Sequence, residues 1–232
     1  MTATRIRKLE FRVDEETGTV TGLLARPRGA RWLFVLAHGA GAGMRHPFLE
    51  GIADRLSKRK VATFRFQFPY MEAGRKRPDR PGLLERTVLA AVPAAVAAAP
   101  RLPILVGGKS LGGRISSQVV AAGKLHAVRG IVFLGFPLHA PGKRSDKRGD
   151  HLREIGVPML FLQGDRDRLA DLSLIHPLCE SLDGRATLHV VAGGDHSFQT
   201  LKRAYREPSE VLDEISDTIA AWASTALGRA VG

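Results

Sequence analysis

Cysteine and aromatic residues are scarce in this chain. One cysteine, Cys179, stands among 232 residues, which excludes an internal disulfide and argues against a cysteine-based metal site. It falls in a predicted helix over 172–182, where we interpret it as a small apolar packing residue. Aromatic residues make up 6% of the chain and are not interleaved with basic ones, so no platform for stacking single-stranded bases is predicted.

Long apolar runs are missing as well. No segment approaches the roughly 18 consecutive apolar residues that a membrane-spanning helix requires, and the first eight residues lack the apolar core of a secretory signal. We therefore expect a cytoplasmic protein without a membrane span. A length of 232 residues is sufficient for one large α/β domain with a substantial core, spanning residues 1–232.

Acidic residues are outnumbered by basic ones, 23 to 35, which gives a formal net charge of +12. The basic residues cluster at 75–80 and at 143–148. We interpret this charge as a solvated surface that favours solubility. No nucleic-acid-binding motif accompanies it, so a nucleic-acid partner is not expected. The alternative is a surface that attracts an anionic partner.

The chain does contain a regular alternation of short apolar runs with helical patterns. This alternation predicts a mostly parallel sheet covered by helices on both faces, preceded by a hairpin over 6–13 and 19–25. Ligands of such sheets bind beyond the carboxyl ends of the strands. The apolar runs of strand length are 32–37, 61–66, 103–107, 128–134, 158–163 and 186–191.

The most informative segment is the pentapeptide Gly108-Lys109-Ser110-Leu111-Gly112. It lies between a predicted strand and a predicted helix, where a serine is forced onto a tight turn with its hydroxyl exposed above the sheet. The flanking glycines remove side chains that would clash in that turn. Ser110 is therefore the candidate nucleophile.

A serine hydroxyl needs a general base, and the base needs an acid that orients it. His196 follows the last predicted strand and is the candidate base. Asp165 and Asp167 both follow the strand before it; we favour Asp167 as the acid, keep Asp165 as the alternative, and consider Asp195 a weaker third choice. The chain order Ser, Asp, His is the one that α/β-hydrolases use.

A glycine-rich loop over 38–43 follows the strand over 32–37. Acyl transfer needs two backbone N–H donors for the developing oxyanion. We assign one to Leu111, which follows the nucleophile, and the other to Ala40, with Gly41 close behind. His38 and His46 flank the loop and are interpreted as supporting its shape rather than transferring protons.

Two phosphate-binding motifs are excluded. A P-loop needs a glycine five positions before Gly108, and Pro103 stands there. The spacing of Gly39, Gly41 and Gly43 resembles a dinucleotide fingerprint, but no acidic residue closes the next strand. No organic cofactor and no metal are therefore expected.

The whole chain resembles a small α/β-hydrolase close to dienelactone hydrolase. More narrowly, it resembles the branch that includes the non-specific-lethal complex subunit 3 and testis-expressed protein 30. The resemblance implies the fold, the triad and the oxyanion loop, but no particular substrate. Ser110 stands where dienelactone hydrolase uses cysteine, so that enzyme's particular reaction is not carried over. The resemblance is carried by segments 38–47, 64–70, 108–114, 135–139 and 194–198.

The connection over 135–157 is too short for a large lid domain. We therefore predict a serine hydrolase that acts on a small or medium carboxylic ester or thioester; the alternative is a non-catalytic interaction module that binds an anionic partner. Arg45, Arg114 and Lys109 would add positive charge for an acidic group, although Lys109 is interpreted as facing solvent. The predicted pocket wall consists of Met44, Tyr70, Met71, Phe136, Leu138 and Phe198.

Overall fold

An eight-stranded sheet organises the chain in the computed structural model, which describes residues 4–201 and 206–226. The strand order is β1-β2-β4-β3-β5-β6-β7-β8. Strands β3 to β8 are parallel, whereas β1 and β2 form an antiparallel hairpin that joins β4. The strands are β1 (Ile6–Asp14), β2 (Gly18–Ala25), β3 (Trp32–Ala37), β4 (Val61–Phe66), β5 (Ile104–Lys109), β6 (Val128–Leu134), β7 (Met159–Gly164) and β8 (Ala186–Val191).

The central strands are apolar at nearly every position because helices cover both faces of the sheet. Alternate side chains of one strand enter two different cores. Leu33 and Val35 of β3 belong to the core on one face, and Phe34 and Leu36 to the core on the other. The predicted α/β-hydrolase architecture, a mostly parallel sheet between two helical layers, is confirmed.

The described residues contain six helices, and five of them build those two layers. Helices α3, α4 and α5 pack on the first face, whereas α1 and α6 bury Ile52, Ile215 and Ile219 on the second. The apolar periodicity of the sequence over 206–227 predicts a C-terminal helix, which begins at Pro208 in the structure; residue 227 lies outside the described residues. The helices are α1 (Pro47–Lys58), α2 (Pro69–Glu72), α3 (Pro81–Ala98), α4 (Leu111–Ala121), α5 (Leu172–Glu180) and α6 (Pro208–Ala226), with a 3₁₀ segment at Lys147–Glu154.

Helix α3 is, within residues 4–201 and 206–226, the one helix long and apolar enough to cross a membrane by length and composition alone. Its side chains Leu84, Val88 and Ala95 are buried in the core of the first face. The helix is thus part of the helical layer on the first face of the sheet, where its buried apolar side chains pack.

The connection between β6 and β7 covers residues 135–158 and carries only the 3₁₀ segment, so the described residues contain no lid domain. Cys179 on α5 is buried, as the sequence suggested, and burial raises the pKa of its thiol to about 12. A thiol with such a pKa is almost wholly protonated at neutral pH and unreactive.

Candidate active site

Ser110 occupies a sharp turn between β5 and α4. Its φ of 49° and ψ of −111° lie outside the regions that residues with a side chain normally adopt. Two glycines make the turn possible. A Cβ on Gly108, whose φ is +150°, would stand 2.1 Å from the carbonyl oxygen of Ala37, and one on Gly112 would stand 2.6 Å from that of His38. The backbone therefore holds Ser110 where β5 ends and the next helix begins.

Ser110, His196 and Asp167 are joined by hydrogen bonds. Ser110 Oγ lies 2.8 Å from His196 Nε2, and His196 Nδ1 lies 2.7 Å from Asp167 Oδ2. The three residues follow the carboxyl ends of β5, β8 and β7 and are distant in sequence. Because Asp167 accepts at Nδ1, the other ring nitrogen is free to accept the serine proton. The arrangement suits activation of the hydroxyl.

The three candidate aspartates differ in burial and in their hydrogen-bond partners. Asp167 is buried and its Oδ1 also accepts from the backbone N–H of Leu169 at 2.7 Å. Asp165 is exposed. Asp195 is engaged elsewhere, since its Oδ1 accepts from the backbone N–H groups of Ser197 and Gln199. Only Asp167, among these three, hydrogen-bonds to His196.

Gln163 is a further polar residue of the site that sequence reasoning missed. Its side chain is fully buried near the end of β7. Nε2 donates to Asp167 Oδ2 at 2.5 Å, while Oε1 accepts from the backbone N–H of Phe136 at 2.9 Å. The available signal was a glutamine in an otherwise apolar strand, because a buried amide requires hydrogen-bonding partners.

The loop over 38–46 borders Ser110 and contains Ala40, which lines the same cavity. Leu111 is the first residue of α4, so its N–H has no intrahelical partner. These are the two backbone donors proposed for the oxyanion. The helix N-terminus adds a favourable dipole for negative charge at this point.

Residues that follow β4 or lie at its end hold the same loop in place. Tyr70 Oη accepts from the N–H of Gly41 at 3.2 Å. The two backbone groups of Met44 are also bound, the N–H by Gln67 Oε1 at 2.8 Å and the carbonyl by Arg65 Nη1 at 2.9 Å. Arg65 is buried, and burial lowers the pKa of its guanidinium, with Glu50 acting in the opposite direction.

His38 supports the loop as a neutral imidazole. Its Nδ1 donates to the carbonyl of Gly39 at 2.8 Å, and its Nε2 accepts from the N–H of Phe68 at 3.1 Å. Burial lowers the pKa of His38 to about 4, in agreement with a ring that must accept at one nitrogen. His46 caps α1 by accepting from the N–H of Phe48. Both contacts match the supporting role expected from the sequence.

The cavity at Ser110 has a volume of about 370 Å³. It is more apolar than polar and opens at the carboxyl edge of the sheet, where ligands of such folds bind. The lining residues are Gly39, Ala40, Ala42, His46, Phe48, Leu49, Lys109, Ser110, Leu169, His196 and Ser197.

The predicted pocket wall requires correction, since none of its six residues lines this cavity. Phe136 and Leu138 point into the core of the first face, together with Tyr70. These residues were predicted from their closeness in sequence to the candidate site residues. That closeness does not determine the direction in which each side chain points. The correction covers Met44, Tyr70, Met71, Phe136, Leu138 and Phe198.

The remaining predicted wall residues lie around the loop rather than inside the cavity. Met44 is buried, and Met71 reaches the backbone at Gly43, where an added Cβ would stand 3.2 Å from its Cε. Phe198 stacks on Phe48, with ring centroids 5.6 Å apart and planes 7° apart. Phe48 itself forms part of the wall, and the sequence had not singled it out.

The sequence predicts that Lys109 faces solvent, and this prediction is wrong. Its Nζ is buried and has no hydrogen-bond partner among residues 4–201 and 206–226. Arg45 is exposed, 3.8 Å from Glu50. Arg114 is partly buried, and burial together with Arg148 lowers the pKa of its guanidinium.

The described part of the chain contains no group of three or more His, Cys, Asp or Glu side chains suited to a metal ion.

Comparison with known proteins agrees with this architecture. The family model of the alpha/beta hydrolase domain matches residues 30–224. Two Mycobacterium tuberculosis proteins, from strains CDC 1551 and H37Rv and each named a candidate phosphoribosyl transferase, are 29% identical over 201 residues, or 84% of this chain. The chain spans 43% of the length of these curated relatives.

Solved structures with the same fold include hydrolases of several organisms. The dienelactone hydrolase of Anabaena variabilis superposes with a TM-score of 0.74 at 20% identity, over 97% of this chain and 100% of that one. The Pyrococcus furiosus esterase PF2001 gives 0.75 at 14% identity, over 97% and 92%. XC6422 of Xanthomonas campestris, a serine hydrolase without a lid, gives 0.71 at 17% identity, over 96% and 97%. At these identities the likeness concerns the fold.

Proposed function

Because the chain belongs to the alpha/beta hydrolase family, we propose that it is a serine hydrolase that cleaves a small or medium carboxylic ester or thioester. The observation that carries the proposal is the unbroken hydrogen-bonded series Ser110–His196–Asp167. Such a series converts a weak hydroxyl into a nucleophile without any further group.

The proposed acylation step uses these contacts. His196 Nε2 takes the proton of Ser110 as Oγ attacks the substrate carbonyl, and Asp167 stabilises the imidazolium that forms. The N–H groups of Ala40 and Leu111 donate to the oxyanion of the tetrahedral intermediate. His196 then gives the proton to the departing alcohol or thiol, which leaves the acyl group on Ser110.

Deacylation repeats the same steps with water. His196 takes a proton from water, the hydroxide attacks the acyl carbonyl, and collapse of the second tetrahedral intermediate returns the proton to Ser110 Oγ. The products are a carboxylic acid and regenerated enzyme. An acceptor other than water would make the same site an acyltransferase.

The finer assignments also belong to this proposal: one domain, a cytoplasmic location and membership of the branch with the non-specific-lethal complex subunit 3 and testis-expressed protein 30. The name of the mycobacterial relatives describes proteins more than twice as long as the region matched. The serine-centred constellation supports ester or thioester cleavage more directly than phosphoribosyl transfer.

A fluorophosphonate probe tests the nucleophile. We expect it to label the wild-type chain at Ser110 and to give no adduct with Ser110→Ala, because only an activated serine reacts. Ser197→Ala is the matched control, since Ser197 is an exposed serine in the wall of the same cavity. Mass spectrometry of the labelled peptide identifies the site. Labelling that persists in Ser110→Ala would refute the assignment.

The second candidate is an interaction module, favoured by the net charge of +12. It would bind an anionic partner through the exposed basic residues and need no turnover. Salt-sensitive retention on heparin, with no fluorophosphonate adduct and no ester cleavage, would favour this candidate over the hydrolase.

A further inference from the structure

Lys109 places a positive charge beside His196 and next to the candidate active site, without a counter-ion in contact. The residue immediately precedes Ser110 and forms part of the cavity wall. Its Nζ is buried, and no hydrogen bond or ion pair to it occurs within the described residues. The face of Phe198 lies nearby, with the ring centroid 5.7 Å from Nζ.

The ammonium is adjacent to the end of β6 and to His196. A Cβ built on Gly135 would stand 3.2 Å from Lys109 Nζ, 3.4 Å from the carbonyl oxygen of His196 and 3.5 Å from His196 Nδ1. The side chains of Lys109 and His196 leave little room at Gly135, so a residue without a side chain fits there.

The two nearest carboxylates have other partners. Asp167 accepts from His196, Gln163 and Leu169. The Oδ1 of Asp195 accepts from backbone N–H groups of its own loop. Both raise the pKa of Lys109, but burial has the larger effect and lowers it to about 8. At neutral pH the side chain is therefore mostly charged and incompletely neutralised.

An unpaired buried charge is unfavourable for folding, and a neutral apolar side chain of similar length would be tolerated as well or better. An anion bound in the adjacent cavity would compensate this charge. A lysine has four methylene groups, so its ammonium can follow an anion over several ångströms by rotation about side-chain bonds.

The loops around the cavity add positive charge of longer range. Four exposed basic residues have no carboxylate partner in the described chain. Two of them, Lys76 and Arg77, follow β4, and the other two, Arg166 and Arg168, follow β7. The carbonyl of Lys76 lies near Gly41 of the 38–46 loop, and Arg168 precedes Leu169 of the cavity wall. Asp165 is exposed in the same loop as Arg166 and Arg168, but basic residues are in excess, and such an excess concentrates ligands of the opposite sign.

We propose that the substrate carries an anionic group, such as a second carboxylate, and that Lys109 is the residue that recognises it. This inference rests on the proposed hydrolase function and specifies its substrate class: an acidic ester or thioester. The ammonium pairs with the anionic group while Ser110 attacks the carbonyl, so that the binding energy of a remote group holds the scissile bond in place.

Two esters of equal chain length test the proposal: the mono-4-nitrophenyl ester of adipic acid and its methyl diester, which lacks the charge. We expect wild-type kcat/KM to be at least about tenfold higher for the acid, because a desolvated charge pair contributes that much or more. Lys109→Met should remove most of this ratio and Lys109→Arg should retain part of it. Lys147→Met, a change of an exposed basic residue, should leave the ratio unchanged.

The ratio should also depend on pH. Lys109 loses its charge as pH rises through about 8, so the preference for the acid should be present below that pH and decline above it. Asp167, Asp195 and His196 face the ammonium, and their effects on the chemical step largely cancel in a ratio of two substrates. The midpoint of thermal unfolding of Lys109→Met should equal or exceed that of the wild type, because an unpaired buried charge is removed.

The results distinguish a failure of the Lys109 proposal from a failure of the proposed hydrolase function. Hydrolysis of the diester without preference for the acid, or an equal loss on both esters in Lys109→Met, would overturn the role of Lys109. Failure of the wild type to cleave either ester, together with absence of a fluorophosphonate adduct, would overturn the hydrolase function and this inference with it.

Discussion

At the scale of single residues, Gln163 holds Asp167, the proposed catalytic acid. One amide group joins Asp167, through its Nε2, to the backbone at Phe136, through its Oε1. The orientation of the amide follows from these partners, since the oxygen must accept and the nitrogen must donate. Asp167 is thereby fixed by three donors, one of which is His196.

Replacement of Gln163 tests this support. Gln163→Leu should lower kcat about 10- to 100-fold with little change in KM, because a misplaced carboxylate misorients the imidazole rather than the substrate. It should also reduce the free energy of unfolding by about 1–3 kcal/mol, since the N–H of Phe136 loses its acceptor. Steady-state kinetics and urea denaturation measure both effects.

Gln163→Glu separates the two contacts. A carboxylate at this position can still accept from Phe136 but cannot donate to Asp167, whereas the protonated acid can do both. Activity relative to the wild type should therefore be low at neutral pH and recover partly as pH falls. Gln199→Leu, on an exposed residue, serves as the control. An activity ratio independent of pH would contradict the role given to the Asp167 contact.

At the scale of elements, the turn between β5 and α4 is built on glycines that have no space for a side chain. Gly108→Ala should destabilise the fold by more than about 4 kcal/mol, because its Cβ would collide with the backbone of β3 at a φ of +150°. Gly123→Ala is the comparison, since Gly123 also has a positive φ but no atom within 4 Å of an added Cβ.

The comparison variant should lose only about 1 kcal/mol, the cost of a left-handed backbone for alanine. Urea denaturation of both proteins gives the difference. Similar losses in the two variants would show that crowding at β3 is not what requires Gly108.

The strands and most helices were predictable because their signals are local. Apolar runs gave β3 to β8 within one or two residues, and the serine turn has a fixed spacing of glycines. The proline-bearing segment over 69–81 reads as a loop in the sequence, so helix α2 within it was missed. Its single turn depends on a partner outside the helix, since Asp79 accepts from the N–H of Tyr70 at 2.8 Å. The burial of Lys109 and the orientation of Phe136 and Leu138 depend on packing between elements, which spacing along the chain does not encode.

At the scale of the whole molecule, the site is small and has no lid among the described residues. The wall formed by Phe48 and Leu49 closes one side of the 370 Å³ cavity, and no inserted domain between β6 and β7 adds apolar surface above it. An acyl chain held within this cavity alone is limited to a short length, since apolar surface that remains in water gains little binding energy.

The acyl-length profile should reflect this architecture. Among neutral 4-nitrophenyl esters, kcat/KM should be highest for chains of about two to six carbons and fall at least about tenfold by ten carbons. Phe48→Ala should shift the optimum to longer chains because it removes part of the wall. Leu9→Ala, at the far hairpin, is the control for nonspecific effects. A profile that rises through ten carbons would contradict a short pocket.

The seclusion of Cys179 has a practical consequence. Its thiol is the only one in the chain and is protonated and shielded at neutral pH, so maleimides and iodoacetamides should leave the native protein untouched. A cysteine introduced at Ser197, in the wall of the cavity, would then be the one thiol that reacts with such reagents. A dye or spin label attached there could follow ligand entry in real time without prior removal of the natural residue.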